Sequence, residues 1–596
     1  MDFTRLFEIL EYQQQRFPQE FAMAGWEDGS WHTWTVEKAI LTRDRFCLGM
    51  LRLGFQPGDR VGILARGGSP QWAITDAGLA QLGIISVPIH ADARVDEIGY
   101  ITRYTGLKGC FVGNREMVRR LHANHGMFQG KIIGFEPAQG SMRWSELVRP
   151  EKNEDFSVLK KYRDAVKPED LATIIFTSGS TGYPRGVMLS HNNIISNIKS
   201  VLAIVPLKPG MRALSFLPMS HVFERMVSYV YQASGVSVWY LSDLEYLPAT
   251  LRIVRPHIFT AVPRILENAY DRLMERRSRL GWLEQKMFDW AVALGDRFPY
   301  AGKEHMPLWY RVQRLVAILL VFRHWRKMLG GRVQTIAVGA AALQPRLARL
   351  FSAAGIEVRE GYGLTETSPV VSFNRFEPGG VYFGTVGIPA PGVEVRIWKP
   401  DADGIGEIHV RGPNVMMGYW REPKLTQKRM AAGGWLKTGD LGEIVNKRFL
   451  RITGRMSEVF KTSSGKFVAP AYVEQQINTS PFIDNCMVIG LNRPFVGALI
   501  VPDFARLEQW CRENKIHWTS PMYMVLNPKV QKLYREEIER INETLNSAEK
   551  VQKHTLMYEP WTALNGMLTP TLKLRRRQIE LRQREAITYL YRVVKE

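Results

Sequence analysis

Residue types able to do chemistry are concentrated in a few short stretches. The densest is Thr177-Ser178-Gly179-Ser180-Thr181-Gly182-Tyr183-Pro184-Arg185-Gly186, which follows a β-branched apolar run at 171–176. Glycines let the backbone turn with its N–H groups pointing inward, and such a nest binds anions. The hydroxyls add donors, and Arg185 adds a planar cationic fork suited to phosphate. The spacing is not that of a Walker loop, since G-x-x-x-x-G-K-[ST] does not occur here. A second cluster, Gly361-Tyr362-Gly363-Leu364-Thr365-Glu366, sets an aromatic plate between glycines on an expected bendable loop. A hydroxyl follows, then a hard carboxylate suited to Mg²⁺ beside phosphates. Together the two stretches describe a site for a nucleotide polyphosphate. Taken singly, a generic Gly-rich loop is more often a surface turn, and a carboxylate such as Glu366 is more often a surface or capping group.

Three further positions could serve the same chemistry, and each also has an ordinary structural reading. His221 follows the apolar run and proline of Leu214-Ser215-Phe216-Leu217-Pro218. A lone histidine is more often structural, but this one falls near an expected strand end, where α/β proteins bind ligands. Gly339-Ala340, after the strand pattern at 335–338, would let a flat ring approach the backbone. Asp440, in an expected Gly-bounded turn, could accept two hydrogen bonds from a ribose diol, although an Asp turn has the same pattern. No G-x-S-x-G elbow is present, so the motifs position a nucleotide without supplying a nucleophile.

The elements that must position these residues alternate as strand and helix. Residues 36–53 read as a helix closed by Gly54, and Pro57-Gly58-Asp59 turns into a strand at 60–64. A helix at 71–82 and a strand at 84–88 follow, the rhythm of parallel βαβ units. Short strands are expected at 384–387, 406–410 and 418–420. The chain of 596 residues is too long for one ordinary core. Its hydrophobic share of 45% and charged share of 23% suit a globular protein, and its formal charge of +21 favours acidic partners. Four scattered cysteines without a C-x-x-C pair argue against a zinc site and fit a reducing compartment. No signal peptide and no uncharged membrane-length run are read. Residues 315–322 are apolar all round with basic flanks. They are expected either as a buried helix with snorkelling ends or as an interfacial helix on anionic lipid. Residues 527–550 read as a charged, solvated helix.

The first stretch resembles, almost letter for letter, the T-S-G-[ST]-T-G-x-P-K-G signature of the adenylate-forming superfamily, with Arg185 in place of the usual lysine. Tyr362 to Glu366, Trp435 to Asp440, Arg455 and the Thr569-Pro570-Thr571-Leu572-Lys573 string follow in the family's order. The string at 217–225 and the C-terminal lysine string resemble long-chain fatty acyl-CoA synthetases in particular. The likeness spans about residues 30 to 580. One further departure is Ser457, where the family hinge carries Lys or Asp.

The resemblance implies an α/β fold with a large, multi-layer N-terminal domain (1–454, AMP- and acyl-binding) that includes a β-barrel-like part. A small α/β C-terminal domain (455–596) would act as a lid. It implies catalytic roles for Lys573, Thr365, Glu366, Arg185 and His221, with Mg²⁺ on Glu366. ATP contacts are implied for Thr177, Ser178, Gly179, Ser180, Thr181, Gly182, Gly339, Ala340, Gly361, Tyr362, Gly363, Asp440, Arg455 and Lys461. The expected reaction joins a long-chain fatty acid to coenzyme A through acyl-AMP, releasing AMP and pyrophosphate. Delivery to a carrier-protein thiol is the alternative. A non-enzymatic relative and a nucleic-acid binder are weaker rivals: Glu366, Asp440 and Lys573 are retained, and no nucleic-acid motif is read. The expected location is cytoplasmic, with peripheral contact at the inner, anionic face of a membrane.

Overall fold

The structure is a computed structural model. It describes all residues except 1, 20, 28, 124–127, 178–183, 457–459, 462–466, 546, 548, 563–564, 569–573 and 593–596, together with the side chains of Lys461 and Phe467. The chain divides into two compact units. The first comprises residues 1–396, 409–438 and 444–451; the second comprises 397–408, 439–443 and 452–596.

Two large sheets build the first unit. One has eight strands, ordered Gly418–Tyr419, Arg185–Ser190, Leu171–Thr177, Ile85–His90, Arg60–Ala65, Gly109–Val112, Lys131–Gly134, Met142–Arg143. The run from Leu171–Thr177 to Met142–Arg143 is parallel, and Arg185–Ser190 returns antiparallel to Leu171–Thr177. The other has nine strands, with Glu357–Gly363, Thr335–Val338, Ile258–Ala261, Arg212–Ser215 and Ser237–Tyr240 as adjacent parallel members. These central strands are short apolar runs because both faces are covered: Ile258–Ala261 and Gly109–Val112 are buried throughout. Helix starts follow the local sequence. Ser69 accepts from Trp72 N–H at 3.0 Å, and Ser190 and Asn193 form a reciprocal box at 3.1 and 2.9 Å.

One buried charge pair joins the sheets. Helix Val222–Ala233 follows strand Arg212–Ser215 of the nine-stranded sheet. Its Arg225 donates from Nε and Nη2 to both Asp76 oxygens, at 2.8 and 2.6 Å. The same guanidinium reaches Thr173 Oγ1 at 2.8 Å and Ser86 Oγ at 3.0 Å, both on strands of the eight-stranded sheet. Tyr229 donates its hydroxyl to Asp76. Both charged residues are buried.

The second unit contains a three-stranded sheet, Ile483–Ile489, Val496–Pro502 and Val551–Leu556. Val473, Ile477, Leu507, Cys511, Val530 and Tyr534 belong to its core. Arg576 and Glu474 pair at 2.7 Å, and Glu474 also accepts from Val488 N–H at 2.7 Å. Arg576 is thus tied into the packed part of the unit.

Several boundaries differ from the sequence reading. Residues 384–387 form no strand, because Gly384 and Gly387 both have positive φ and Thr385 turns back to Tyr382 O at 2.7 Å. The helix expected over 527–550 is Pro528–Asn542, which ends where the Asn542 side chain pairs with the backbone of Val551. Of residues 315–322, only Ala317, Val321 and Phe322 are buried; Leu315, Val316, Leu319 and Leu320 are exposed.

Arg225→Met should strand the Asp76 carboxylate in the interior, costing about 3–5 kcal/mol. The thermal unfolding midpoint should fall by several degrees. Arg94→Ala, which breaks the exposed pair with Asp96, should stay within about 0.5 kcal/mol of the parent. Equal effects of the two substitutions would contradict the role given to the buried pair.

Candidate active site

Four adjacent parallel strands of the nine-stranded sheet end together. Ala261, Val338 and Glu360 are in register, and Ser215 ends the neighbouring strand. The expected residues at these ends are Gly339, Ala340, Gly361 and Tyr362, with His221 further along the chain from Ser215. Crevices at the carboxyl ends of parallel strands are the ligand sites of open α/β sheets. His221 is not itself on a strand end. It caps helix Val222–Ala233, its Nδ1 accepting from Phe223 N–H at 3.3 Å. A Cβ on Gly339 would stand 3.2 Å from the Phe223 ring, so residue 339 must be small for this packing. Ala340 has φ +68°, which carries the chain away from the strand.

Gly361, Tyr362 and Gly363 are the end of strand Glu357–Gly363, not a bendable loop. They pair antiparallel with Phe373, Ser372 and Val370. A Cβ at 363 would lie 2.0 Å from Pro369 O, so only glycine permits that pairing. The turn Thr365–Thr367 follows, with Thr365 buried and Glu366 half-buried. Buried asparagines staple the surrounding backbone. Asn197 bonds the N–H and C=O of Val370 at 3.0 and 2.7 Å. Asn414 reaches Thr367 O at 2.9 Å, and Asn193 holds Pro413 O and Val415 O at 2.8 and 2.9 Å.

Arg185 opens strand Arg185–Ser190 and faces Thr177 in register. These two residues bracket 178–183, so Ser178, Gly179, Ser180, Thr181 and Gly182 lie outside the described residues. The same strand pairs with Gly418–Tyr419, with Tyr419 opposite Val187. Tyr419 donates its hydroxyl to Glu366 Oε1 at 2.8 Å, and Met416 N–H donates to Glu366 O at 2.9 Å. Burial pushes the Tyr419 phenol up, helped by the adjacent Glu366 carboxylate and opposed by the positive charges of Arg429 and Arg185. Arg185, Tyr419 and Glu366 therefore share one electrostatic neighbourhood. Sequence reasoning missed Tyr419, because Gly418-Tyr419-Trp420 carries only a strand pattern.

Two carboxyls behind the strand ends were also missed. Glu360, beside Gly361, accepts from Leu343 N–H at 3.0 Å, which ties down the 339–343 turn. Burial pushes its pKa up to about 8. Glu224 receives the Thr260 hydroxyl, and burial pushes it to about 7. Both are packed where the aqueous ionised form is disfavoured.

In the second unit, Asp440 is buried within strand Trp435–Val445 rather than standing in a turn. Gly439, at φ +76°, distorts the strand beside it, accepting from Met456 N–H at 2.8 Å. Asp440 Oδ1 pairs with Arg455 Nε at 2.9 Å, so these two expected residues are brought together. The Lys461 backbone lies in a two-stranded ribbon opposite Phe467. Lys573 lies outside the described residues, which bracket it by a bridge between Leu568 and Leu574.

Glu360 sets a testable pH dependence. Its folded pKa is raised above the ordinary 4.5. Its contribution to stability is therefore complete below about pH 4.5 and is lost as pH climbs through about 8. The full shift corresponds to at most about 5 kcal/mol. Glu360→Gln keeps an uncharged acceptor, so its unfolding midpoint should rise relative to the parent as pH increases from about 5 to 8. Parallel midpoint-versus-pH curves would contradict this.

The AMP-binding enzyme family matches residues 10–420, and the AMP-binding enzyme C-terminal domain matches 458–595. The long-chain-fatty-acid–CoA ligase FadD15 of Mycobacterium bovis is 32% identical over 570 residues, covering 93% of this chain and 91% of the relative. Human long-chain-fatty-acid–CoA ligase 1 is 30% identical over 580 residues, with coverage of 92% and 81%. Among solved structures, the anthranilate CoA ligase AuaEII in complex with anthranoyl-AMP superposes with TM-score 0.70 at 18% identity, covering 98% of each chain. ATP-bound MatB of Rhodopseudomonas palustris gives 0.68 at 20% identity, covering 98% of this chain and 99% of MatB. These likenesses concern the shared α/β fold. With the family match extending over most of its length, this chain belongs to the AMP-binding enzymes.

Proposed function

We propose that this protein activates long-chain fatty acids, joining them to coenzyme A through an enzyme-held acyl-AMP. The observation that carries the reading is the convergence of Arg185, Tyr419 and Glu366 beside the described ends of the phosphate-loop hairpin. The long-chain ligase relatives, matched over more than nine-tenths of this chain, support the choice of acid.

In the first half-reaction a carboxylate oxygen of the acid attacks the α-phosphate of ATP. The bond to the bridging oxygen breaks and pyrophosphate leaves. Arg185 and the loop donors hold phosphate oxygens, while Thr365 offers a hydroxyl. Tyr362 and the small Gly339-Ala340 turn receive the adenine. Asp440 and Arg455 hold the ribose, and Lys461 adds a cation to the nucleotide contacts. In the second half-reaction the thiol sulfur of coenzyme A attacks the acyl carbon, the anhydride C–O bond breaks, and AMP leaves. His221 borders the acyl group. We assign Lys573 to the first half-reaction, delivered by the C-terminal domain of 455–596 and withdrawn for the second.

Glu366 fits Mg²⁺ delivered with the nucleotide. Among the described residues no group of three or more His, Cys, Asp or Glu could hold a metal unaided. A half-buried carboxylate oriented by Tyr419 matches an ion that takes most of its ligands from phosphates and water. When bound, the ion neutralises phosphate charge. The +21 formal charge supports peripheral contact with an anionic membrane face, and the free cysteines support a reducing, cytoplasmic compartment. No helix among the described residues is long and apolar enough to cross a membrane.

Incubation with ATP, Mg²⁺, coenzyme A and a mixed pool of acids tests the reading. The expected products are long-chain acyl-CoA, AMP and pyrophosphate. Thioester formed only on an added carrier protein would favour carrier loading, and no thioester at all would reject both readings.

Tyr419→Phe should leave the fold intact but release Glu366. Activity at limiting Mg²⁺ should fall roughly 10–100-fold, as for other residues that orient a metal ligand, and should recover partly at high Mg²⁺. An unchanged Mg²⁺ dependence would remove Tyr419 from this role. Lys573→Ala should lose about 10²–10³ in acyl-AMP formation, the scale of a lost electrostatic stabiliser. It should still convert supplied acyl-AMP and coenzyme A at near the parent rate. Arg577→Ala, an exposed neighbour, serves as control, since Arg576 is committed to Glu474. Equal loss of both half-reactions would contradict the assignment of Lys573.

A further inference from the structure

The helical segment from Leu308 to Met328 is apolar on two opposite sides. It runs as Leu308–Ala317, a π-helical turn Ile318–Phe322, and Arg323–Met328. The inner side is accounted for. Tyr310, Ala317, Val321, Phe322 and Trp325 are buried, and Trp325 packs against Phe288 and Phe351 with ring centroids 5.8 Å away in each case. The outer side is not. Leu308, Val312, Leu315 and Leu319 are 78, 58, 58 and 57% exposed. Their spacing of four, three and four residues places them on one helical face, with exposed Val316 beside them. This stripe is roughly 17 Å long at 1.5 Å per residue.

The charge around the stripe has one sign. No Asp or Glu occurs between Glu304 and Glu357, while Arg311, Arg323 and Lys327 are exposed along the same segment. Trp309, 55% exposed, stands at its start. An apolar stripe with exposed cations and an indole has the composition of a helix lying in the headgroup region of a bilayer. A second copy of the chain is a poorer occupant, because it would bring the same basic surface, and a formal +21, against this one.

We propose that this face is the membrane-docking surface of the protein: the Leu308–Leu319 stripe sits among acyl chains of an anionic leaflet while Arg311, Arg323 and Lys327 meet lipid phosphates. The proposal rests on the peripheral location given above and is independent of the ligase chemistry. It gives the enzyme a foothold on the surface where long-chain acids partition.

Flotation of the full chain with phosphatidylcholine vesicles, and with vesicles that also contain phosphatidylglycerol, tests it. The parent should bind the mixed vesicles more tightly, and less so at high salt. Leu315→Ser combined with Leu319→Ser should weaken that binding at least about tenfold. Turnover of a short, water-soluble acid should be unchanged, because neither residue belongs to the site. Arg323→Gln should reduce the preference for anionic vesicles. Parent-like binding by the double variant, or equal parent binding to both vesicles, would overturn the proposal. So would a parent that sediments as a dimer while the double variant is monomeric. Vesicle binding with no thioester from any acid would leave the docking face standing and reject the ligase reading instead.

Discussion

The Arg225 guanidinium is enclosed in the protein, and a cation withdrawn from water is tolerated only where its partners replace what hydration supplied. Here the partners are Asp76, Thr173 and Ser86, contributed by the eight-stranded sheet and a helix beside it. Arg225 itself belongs to a helix hung from the nine-stranded sheet. The register of the two sheets is therefore set by a bond that cannot slip without burying an unpaired charge. The site depends on that register. Thr173 lies on the strand that ends at Thr177, and His221 caps the helix that carries Arg225.

Around this seam, polar groups that would ordinarily cost stability are spent on backbone placement. Asn193, Asn197 and Asn414 satisfy carbonyls and N–H groups of irregular chain around Thr365–Thr367 and Val370. A buried amide that lost its partner would cost about 1–3 kcal/mol, so the turn carrying Glu366 has few alternative conformations. Glu360 does the same for the turn after Gly339, at the expense of a carboxyl that ionises reluctantly. Tyr419 completes the arrangement by joining Glu366 to the strand that begins with Arg185. The described site is thus preorganised by hydrogen bonds and one enclosed ion pair.

How much of this was legible in the sequence depended on whether the signal was local. The βαβ rhythm of the first hundred residues and the strand before Thr177 were legible because buried parallel strands are short apolar runs between turn residues. The motif residues were legible as types. Their settings were less so: Tyr362 and Asp440 were expected in loops and turns, yet both lie on strands. Positive-φ glycines such as Gly439 and close backbone approach at Gly363 permit a strand where glycine suggests a break. Tyr419 and Glu360 carried no signal, and Arg225 showed only as the last letter of the 217–225 string, since each acts through a partner distant in the chain. The 315–322 stretch illustrates the same limit. An all-round apolar helix reads as either buried or interfacial, and only the packed arrangement separates the face against Trp325 from the face left outside.

The central claim is that the acid's own carboxylate attacks the α-phosphate at the strand ends, with no covalent enzyme intermediate. Its most direct test uses a long-chain acid labelled with ¹⁸O in both carboxylate oxygens, incubated with ATP, Mg²⁺ and coenzyme A, followed by mass analysis of the products. Because the anhydride forms through a carboxylate oxygen and breaks at the acyl carbon, the account predicts one labelled oxygen in the phosphate of AMP and none in pyrophosphate. Label in pyrophosphate or inorganic phosphate, or acyl-CoA formed with unlabelled AMP, would contradict it.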